Sequence, residues 1–451
     1  MKRFLPVALA LCLAAPLSAQ TLSYVGEIRL PTNPSSGLGG SDVWPYTAPD
    51  GSEYALMGDV SGVSVVAVPS MDVVAHVPGP SNGDFYYHRD IKTYGDVAYI
   101  VTECFGGDQE GLQVVDLSGL PDSVDVRPAV SGLGDRLHGS HNFNIDEATG
   151  FAYVLSDNAR QVVIVNLADP LAPADIGAID FSVTTHDVYA HADRLYVAEG
   201  SGPSTFSIWD VTDKGAPTLL SRTTVPQGGY VHNIWPTADG RYAVTTEETT
   251  NKTVKVWDLA DIAEPELVGE WLGASLIAHN AHITDRYAFI SHYASGLSVV
   301  DIADPTAPVE VAAYDTYPAS DQPGFRGAWG ATLPSPGGYV YVSDLEGDLT
   351  ALQWSAVVSA EGAPEASELL SAPLPNPTRG EATVTLRLAE AGPASVALLD
   401  LRGRELARVE RGFAAGAHTV TLPTAELPAG VYLVRAEAGG RVQTHRLAVA
   451  R

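Results

Sequence analysis

Short stretches of alternating polar and apolar residues recur along this sequence at nearly constant spacing. Each begins with a polar pair, usually His followed by Asp or Asn, and leads into three further strand-like segments separated by turn residues. The clear copies of the pair are Arg89-Asp90, His141-Asn142, His186-Asp187, His232-Asn233 and His279-Asn280, with weaker outer copies at Ser41-Asp42 and Trp329-Gly330. The second members of successive pairs are 48, 52, 45, 46, 47 and 50 residues apart. A period of this length, with four strands in each unit, predicts an all-β protein folded as a seven-bladed β-propeller.

The copy that starts at His186 illustrates the predicted blade. Residues 186–189 form the innermost strand, residues 194–199 and 206–210 the second and third strands, and residues 218–225 the outermost strand. Residues 213–217 form a turn, because Gly tolerates positive φ and Pro fixes φ. Residues at equal positions of successive innermost strands are therefore expected to form rings around a central channel.

The two ends of the repeat array complement each other. The last copy has strands at residues 339–344 and 349–354 and lacks an outermost strand, whereas residues 22–30 form a strand without a repeat of its own. The missing strand at one end and the extra strand at the other predict that the N-terminal strand completes the last blade beside residues 349–354. Such closure removes two exposed sheet edges.

The segments outside the repeats predict export and a second domain. Residues 1–19 combine a basic start, an apolar stretch and a small residue before Gln20, which is typical of a secretory signal peptide. The propeller is expected over residues 20–355, a linker of small and acidic residues over 356–372, and a further domain over 373–451. No later apolar run reaches the roughly 18 residues that a membrane-spanning helix needs, so no transmembrane segment is predicted.

Charge is distributed unevenly along the chain. Residues 20–358 carry 14 Lys and Arg against 44 Asp and Glu, a net charge of −30. Residues 373–451 carry 10 against 7, a net charge of +3. So acidic a propeller argues against nucleic acid and anionic membranes as its partners.

The third strand of the repeat has a recurring apolar sequence that ends in Asp or Asn and one more apolar residue. It stands at residues 112–117 (LQVVDL), 162–167 (VVIVNL), 254–259 (VKVWDL) and 297–302 (LSVVDI). Together with the His-Asn and His-Asp pairs, these segments resemble the LVIVD-repeat surface proteins, in particular the bacterial "choice-of-anchor" proteins, over residues of about 35–355. The resemblance implies a propeller displayed at the cell surface, and it implies no activity.

The final 79 residues resemble the C-terminal sorting domain of the type IX secretion system of Bacteroidota and their relatives. The resemblance rests on residues 373–380 (PLPNPTRG), 396–406 (VALLDLRGREL), 427–435 (LPAGVYLVR) and 444–451 (THRLAVAR). It implies that the secretion machinery is a partner of residues 373–451, and that the protein is released or attached outside the cell after this domain is removed. Short alternating strands with Gly and Pro turns predict a small immunoglobulin-like β-sandwich.

Histidines at equal repeat positions are the first candidates for chemistry. His141, His186, His232 and His279 start four innermost strands, and Arg89 takes the same place in the second copy. Neutral imidazole is a common ligand of copper, zinc and iron, so these four side chains are candidate metal ligands in the channel. The alternative is structural, because a polar pair in every blade can hydrogen-bond the neighbouring blade. The paired residues Asp90, Asn142, Asp187, Asn233 and Asn280 are candidate binding residues on the same ground.

Carboxylates and tryptophans form two further sets of candidate functional residues. Acidic residues end most second strands, at Asp59, Glu103, Asp157, Glu199, Glu247 and Asp344. They are candidate Ca²⁺ or binding residues, with capping of turns as the alternative. Trp235 and Trp329 follow the starts of innermost strands, where they offer faces to a sugar or aromatic ligand or pack between blades.

Function follows less directly from the sequence than fold does. The chain has no Gly-rich phosphate loop, no GxSxG nucleophile elbow and no HExxH helix. We therefore expect non-catalytic binding of a protein, a glycan or a polymer outside the cell. The alternative is a metal-dependent enzyme whose copper, zinc or iron site lies among the channel histidines.

Overall fold

The structure is a computed structural model that divides the chain into two compact units, residues 1–358 and 359–451. In the first unit it describes residues 21–79, 88–103, 111–130, 137, 139–156, 159–200, 202, 204–320 and 322–355. In the second it describes residues 369–370, 373, 378, 380–388, 392–399, 404–414, 416–425, 427–428, 430–438 and 441–449. The predicted signal peptide lies outside the described residues, as does the predicted linker apart from Leu369 and Leu370.

The described part of the first unit is built from antiparallel strands. In chain order these are β1 (Thr21–Arg29), β2 (Val43–Thr47), β3 (Glu53–Asp59), β4 (Gly62–Val68), β5 (Asp72–Pro78), β6 (Arg89–Tyr94), β7 (Val97–Thr102), β8 (Gln113–Asp116), β9 (Asp125–Val126), β10 (Phe143–Asp146), β11 (Phe151–Leu155), β12 (Gln161–Asn166), β13 (Ala174–Asp180), β14 (Asp187–His191), β15 (Arg194–Ala198), β16 (Thr205–Asp210), β17 (Thr218–Thr224), β18 (Val231–Pro236), β19 (Tyr242–Glu247), β20 (Val254–Asp258), β21 (Glu266–Trp271), β22 (Ala281–Ile283), β23 (Tyr287–Ser291), β24 (Leu297–Asp301), β25 (Val309–Tyr314), β26 (Ala328–Ala331), β27 (Tyr339–Asp344) and β28 (Asp348–Ser355).

These strands form seven four-stranded sheets within the described ranges, and we number the sheets as blades 1 to 7 in chain order. Blades 1 to 6 are β2–β5, β6–β9, β10–β13, β14–β17, β18–β21 and β22–β25, and blade 7 has the order β26–β27–β28–β1. The first strand of each blade is innermost and its residues are buried or half-buried, whereas more than half of the residues of the outermost strands β5 and β17 are exposed. The predicted all-β propeller is confirmed.

The apolar core lies between neighbouring blades. Tyr46 and Leu56 of blade 1, for example, share one cluster with Ile91 and Ile100 of blade 2. This is possible because successive side chains of a strand point to opposite faces of the sheet, so that the two faces of a blade pack against two different neighbouring blades. Each blade thus depends on two neighbours for the burial of its apolar residues.

Blade 7 joins the two ends of this unit. Strand β1 pairs antiparallel with β28 from Thr21 opposite Ser355 to Arg29 opposite Asp348, with a bulge near Val25. Leu30 follows β1, is 4% exposed, and donates its amide hydrogen to the carbonyl of Gly347 at 2.8 Å. Residues of blades 1 and 7 then share a core cluster, so the series of blades closes on itself.

The second unit also consists of strands in its described part. They are β29 (Ala382–Leu388), β30 (Gly392–Leu399), β31 (Glu405–Phe413), β32 (Gly416–Leu422), β33 (Gly430–Ala438) and β34 (Arg441–Val449). Strands β29 and β32 form one sheet, β31–β30–β33–β34 form another, and both contribute to one apolar core. Leu369 and Leu370 fall within the linker that the composition predicts, but they are buried in that core, because two consecutive leucines gain from leaving water. The immunoglobulin-like topology stays a prediction.

Within the described residues of both units, no helix has the length and apolar character that crossing a bilayer requires.

Candidate functional site in the channel

The innermost strands bring three layers of side chains into the channel. The first layer, which we call the histidine ring, lies where the chain enters the innermost strands of blades 2 to 7. The residues that follow it form a polar layer, and residues two positions further on share the same face of each strand, since side chains alternate. The histidine ring comprises His88, His141, His186, His232, His279 and Trp329; the polar layer comprises Asp42, Asp90, Asn142, Asp187, Asn233 and Asn280; the third layer comprises Trp44, Lys92, Asn144, Tyr189, Trp235, His282 and Thr332.

The histidine ring is a continuous series of aromatic contacts. The ring centroids are 4.1 Å apart for His88–His141, 4.4 Å for His141–His186, 4.0 Å for His186–His232, 4.3 Å for His232–His279, 4.2 Å for His279–Trp329 and 5.5 Å for Trp329–His88. The four histidines named from the sequence therefore lie side by side. Trp329 belongs to this ring, whereas Trp235 lies in the third layer at the other end of the channel.

His88, and not Arg89, fills the place of the second copy in the ring. The Arg89 side chain is fully buried, and its Nε donates to the carbonyl of Asp59 at 3.1 Å. Gly79 leaves the space that this guanidinium occupies, because a Cβ there would be 2.6 Å from the Arg89 Cζ. The sequence repeat aligned the pair correctly at Asp90, but it did not reveal which neighbouring side chain turns towards the channel.

Two ring members sit at irregularities in their strands. The pairing register shifts between Val231 and Asn233 and again between Ala328 and Gly330, which places His232 and Trp329 at bulges. A bulge sets two residues opposite one and so changes the direction in which a side chain points. These two side chains reach the ring although they lie inside a strand.

Hydrogen bonds to the next blade determine the protonated nitrogen of two ring histidines. His186 Nδ1 is 2.9 Å from the carbonyl oxygen of His232, and His279 Nδ1 bonds the carbonyl oxygen of Trp329. A carbonyl oxygen only accepts, so Nδ1 carries the hydrogen in both residues. Each Nε2 is then left with a lone pair, which is the arrangement found in metal-ligating histidines whose other nitrogen bonds a carbonyl.

His279 meets a carboxylate and a second histidine at this lone pair. Its Nε2 is 3.9 Å from Glu248 Oε1, and His232 Nε2 is 3.9 Å from Glu248 Oε2. His279 is 2% exposed, and its Nε2 has no hydrogen-bond partner among the described residues. The Tyr293 hydroxyl donates to Glu248 Oε1, which holds the carboxylate in place. We call His232, Glu248 and His279 the triad.

Burial determines the charge of these groups. It lowers the pKa of His279 to about 3 and holds the pKa of His232 well below its ordinary value, with further lowering from the neighbouring imidazoles. It raises the pKa of Glu248, against the hydrogen bond from Tyr293. The two imidazoles are therefore neutral at neutral pH, which is the form that binds metal ions.

A second group on the other side of the ring is less suited to share an ion. His88, Glu103 and His141 bring one donor atom each within 4.8 Å of one another. His141 Nδ1 donates to Glu103 Oε1 at 2.7 Å, so that this pair is already joined. The His88 and His141 planes are only 14° from parallel. The lone pair of each imidazole lies in the plane of its ring. An ion between the two stacked rings would lie outside both planes, where neither lone pair points.

The polar layer connects successive blades. Each of four side chains accepts a hydrogen bond from a backbone amide of the next blade: Asp42 from Ile91 at 3.0 Å, Asp90 from Phe143 at 2.8 Å, Asn142 from Val188 at 3.1 Å, and Asn233 from Ala281 at 3.2 Å. Asn233 also donates to Asp187 at 2.8 Å. Asn280 accepts a bond from none of these amides; its own backbone amide donates to Ser291 Oγ at 3.1 Å. Side chains at the Asp/Asn positions and side chains of the histidines thus both form hydrogen bonds between neighbouring blades.

The carboxylates at the ends of the second strands bond within the fold. Asp59 accepts from Ser61 and Ser64, Glu199 accepts from Ser207 and Arg222, Glu247 pairs with Lys255, and Asp344 accepts from Thr316. Glu103 accepts from His141, and Asp157 lies outside the described residues. These partners satisfy carboxylate oxygens that a Ca²⁺ site would need.

Tyr293 was not among the candidate residues that the sequence indicated, and Glu248 was not among the candidate metal ligands or binding residues. The signal for Glu248 was the doubled glutamate at the end of β19, where its neighbour Glu247 takes the repeat position. The third layer was also missed as a set, although each member follows its Asp, Asn or Gly by two residues. A search for that offset would have found it.

Parts of the chain match known protein families. Residues 374–450 match the secretion system C-terminal sorting domain, and residues 277–316 match the LVIVD repeat. The chain thus carries the predicted repeat and the predicted type IX sorting domain, and the protein is exported to the cell surface or beyond it. No curated protein matches this sequence.

Solved structures support the fold. The WD40 domain of Pan2 from Neurospora crassa superposes with a TM-score of 0.54 and 11% sequence identity, covering 74% of this chain and 95% of that domain. At that identity the likeness concerns the propeller fold alone.

Proposed function

We propose that this exported propeller is a binding protein whose channel takes up one first-row transition-metal ion, best represented by Zn²⁺, at His232, Glu248 and His279. The observation that carries the proposal is the buried Nε2 lone pair of His279, which faces a carboxylate and has no hydrogen-bond partner in the described part of the chain. A buried polar atom without a partner costs about 1–3 kcal/mol, and a bound ion would remove that cost.

The separations within the triad support a shared ion. Two donors bound to one zinc ion at about 2.0–2.1 Å lie at most about 4.2 Å apart. Both histidine-to-glutamate separations are 3.9 Å, so small side-chain rotations bring all three donors to one ion. Two imidazoles and one carboxylate form a donor set that suits zinc and copper.

Residues behind the triad support it further. The carbonyl of Trp329 holds the His279 tautomer, and the hydroxyl of Tyr293 orients Glu248. The carbonyl acceptor raises the basicity of the His279 imidazole, and both outer partners fix the direction of the ligand that they contact. His232 and His279 both line the small cavity of about 20 Å³ inside the histidine ring. We propose metal binding here and no metal-dependent reaction.

Titration of metal-free full-length protein with Zn²⁺ tests the proposal. We expect one equivalent to bind, and we expect Glu248→Gln to weaken binding at least about 100-fold, since one charged ligand is lost. His76→Ala is the matched control, because His76 lies on the outer strand of blade 1 with a side chain 37% exposed. Unchanged affinity in Glu248→Gln, or an equal loss in His76→Ala, would overturn the proposal.

A further inference from the structure

The other mouth of the channel is a second site, and we propose that it binds the terminal pyranose ring of a neutral glycan. This site, which we call the cup, is a cavity of about 490 Å³ formed by the third layer and the turns around it. It goes beyond metal binding, because it shares no residue with the triad.

One wall of the cup is a run of aromatic faces from several blades. Tyr189 and Trp235 have ring centroids 4.1 Å apart, and Trp235 and His282 are 4.3 Å apart. Trp44 contacts His282 edge-on at 6.2 Å. Each ring has an apolar face and a polar N–H or O–H edge. A pyranose has the matching shape, with a C–H face and a rim of hydroxyl groups.

The cup also carries polar side chains with fixed hydrogen-bonding groups. Asn144 is buried, and its side-chain oxygen accepts from the amide of Ala190 at 3.0 Å, which sets the plane of its amide. Glu147 also lines the cavity, as does Thr93, whose hydroxyl accepts from the indole N–H of Trp44 at 3.2 Å. An amide, a hydroxyl and a carboxylate can bond sugar hydroxyls as donors and acceptors.

The charge of Lys92 is compensated inside the fold, which argues for a neutral ligand. Its Nζ is 2.5 Å from Asp90 and 3.3 Å from Asp42, and it lies 4.4 Å from the Trp44 ring centroid. An acidic sugar would need an unpaired cation at this place, as carboxylate recognition usually involves. Lys92 instead orders the Trp44 ring as a stacking surface.

Size and depth restrict how a glycan enters. Cavities of roughly 300–1,000 Å³ enclose small ligands, and this one has room for one or two sugar rings. The histidine ring and the polar layer line a cavity of only about 20 Å³ in the same channel. A sugar ring is too large for that space, so a glycan chain cannot pass through, and the cup fits the end of a glycan rather than its middle.

Binding of simple sugars to the full-length protein tests this inference. The probes are the methyl pyranosides of glucose, galactose, mannose and N-acetylglucosamine, followed by saturation-transfer NMR and by tryptophan fluorescence. We expect at least one of them to bind with a Kd of about 1 mM or tighter, and we expect the chelator EDTA to leave that binding unchanged. Insensitivity to EDTA separates this result from the metal proposal.

Matched tryptophan variants locate the binding. Trp44→Ala removes a half-buried stacking face, and Trp235→Phe keeps a buried ring but loses the indole edge; both should weaken binding about tenfold or more. Trp209→Phe, on the third strand of blade 4, should have no effect. Absence of binding by all four sugars, equal binding in the two cup variants, or preference for a proline-rich peptide over the sugars would overturn the inference.

Discussion

The Nε2 atom of His279 lies 3.9 Å from the Oε1 atom of Glu248, although the two residues come from different blades. Glu248 follows β19 of blade 5, and His279 precedes β22 of blade 6. The triad therefore exists only when these blades pack against each other. An ion that binds there binds the folded propeller and not the unfolded chain.

Metal binding should consequently stabilise the fold. At a free Zn²⁺ concentration 100 times Kd, the free energy of unfolding should rise by about 2.7 kcal/mol. Thermal unfolding of the metal-free protein with and without Zn²⁺ measures this as a higher Tm. Glu248→Gln should lose the increase, and Glu310→Gln on the exposed part of β25 should retain it. The same increase in both variants would place the effect elsewhere in the chain.

The polar layer should contribute to stability through blade-to-blade hydrogen bonds. Asn233 is 2% exposed, accepts from Ala281 and donates to Asp187. Asn233→Ala removes two buried hydrogen bonds and should lower the free energy of unfolding by about 2–4 kcal/mol. Asn166→Ala, which removes one bond to the nearby amide of Ala168, should cost less than half as much. Chemical denaturation of both variants gives the comparison, and equal losses would refute a special role for the polar layer.

Strand β1 should be required to close the propeller. Deleting residues 21–30 exposes the edge of β28 and the core beneath Leu30. We expect a lower midpoint of denaturation and a tendency to associate through the open edge. Circular dichroism and size-exclusion chromatography of the shortened chain measure these changes.

A synthetic peptide of residues 21–30 provides the control for that deletion. Added in excess, it should pair with β28 and restore part of the lost stability. A deletion variant as stable and as monomeric as the intact chain would contradict the role of β1.

Stability should fall with rising pH because of Asp344. Burial raises the pKa of this carboxyl group from 3.8 to about 8, so the folded protein favours its neutral form. The resulting stability is fully present below about pH 4 and is lost as pH rises through about 8. Asp344→Asn should therefore be more stable than the parent chain at about pH 9 and similar to it at about pH 4. Denaturation curves at both pH values test this, and a pH-independent difference between the two proteins would contradict it.

The repeat predicted much of the architecture because strand period and turn chemistry act locally. The spacing of the pairs from Ser41-Asp42 to Trp329-Gly330 was enough to predict a propeller, and the four histidines at equal positions do meet. The direction in which each side chain points from its strand was harder to predict. The place of His88 depends on which of two neighbouring side chains faces the channel, and that of His232 depends on a bulge.

The triad itself could not be read from spacing. Glu248 lies one position beyond the repeat, and its contact with His279 depends on the packing of blades 5 and 6. The tautomer of His279 depends on a carbonyl 50 residues away. Both are products of tertiary structure, whereas the third layer followed a simple offset of two residues that the sequence already contained.

Location of a bound metal by anomalous diffraction tests the central claim most directly. Crystals of the full-length protein grown with Zn²⁺, measured above and below the zinc absorption edge, should give one strong peak in the channel. We predict that this peak lies about 2.0–2.1 Å from Nε2 of His232, Nε2 of His279 and a carboxylate oxygen of Glu248. Peaks only at surface carboxylates or at other histidines, or no peak at all, would contradict the account.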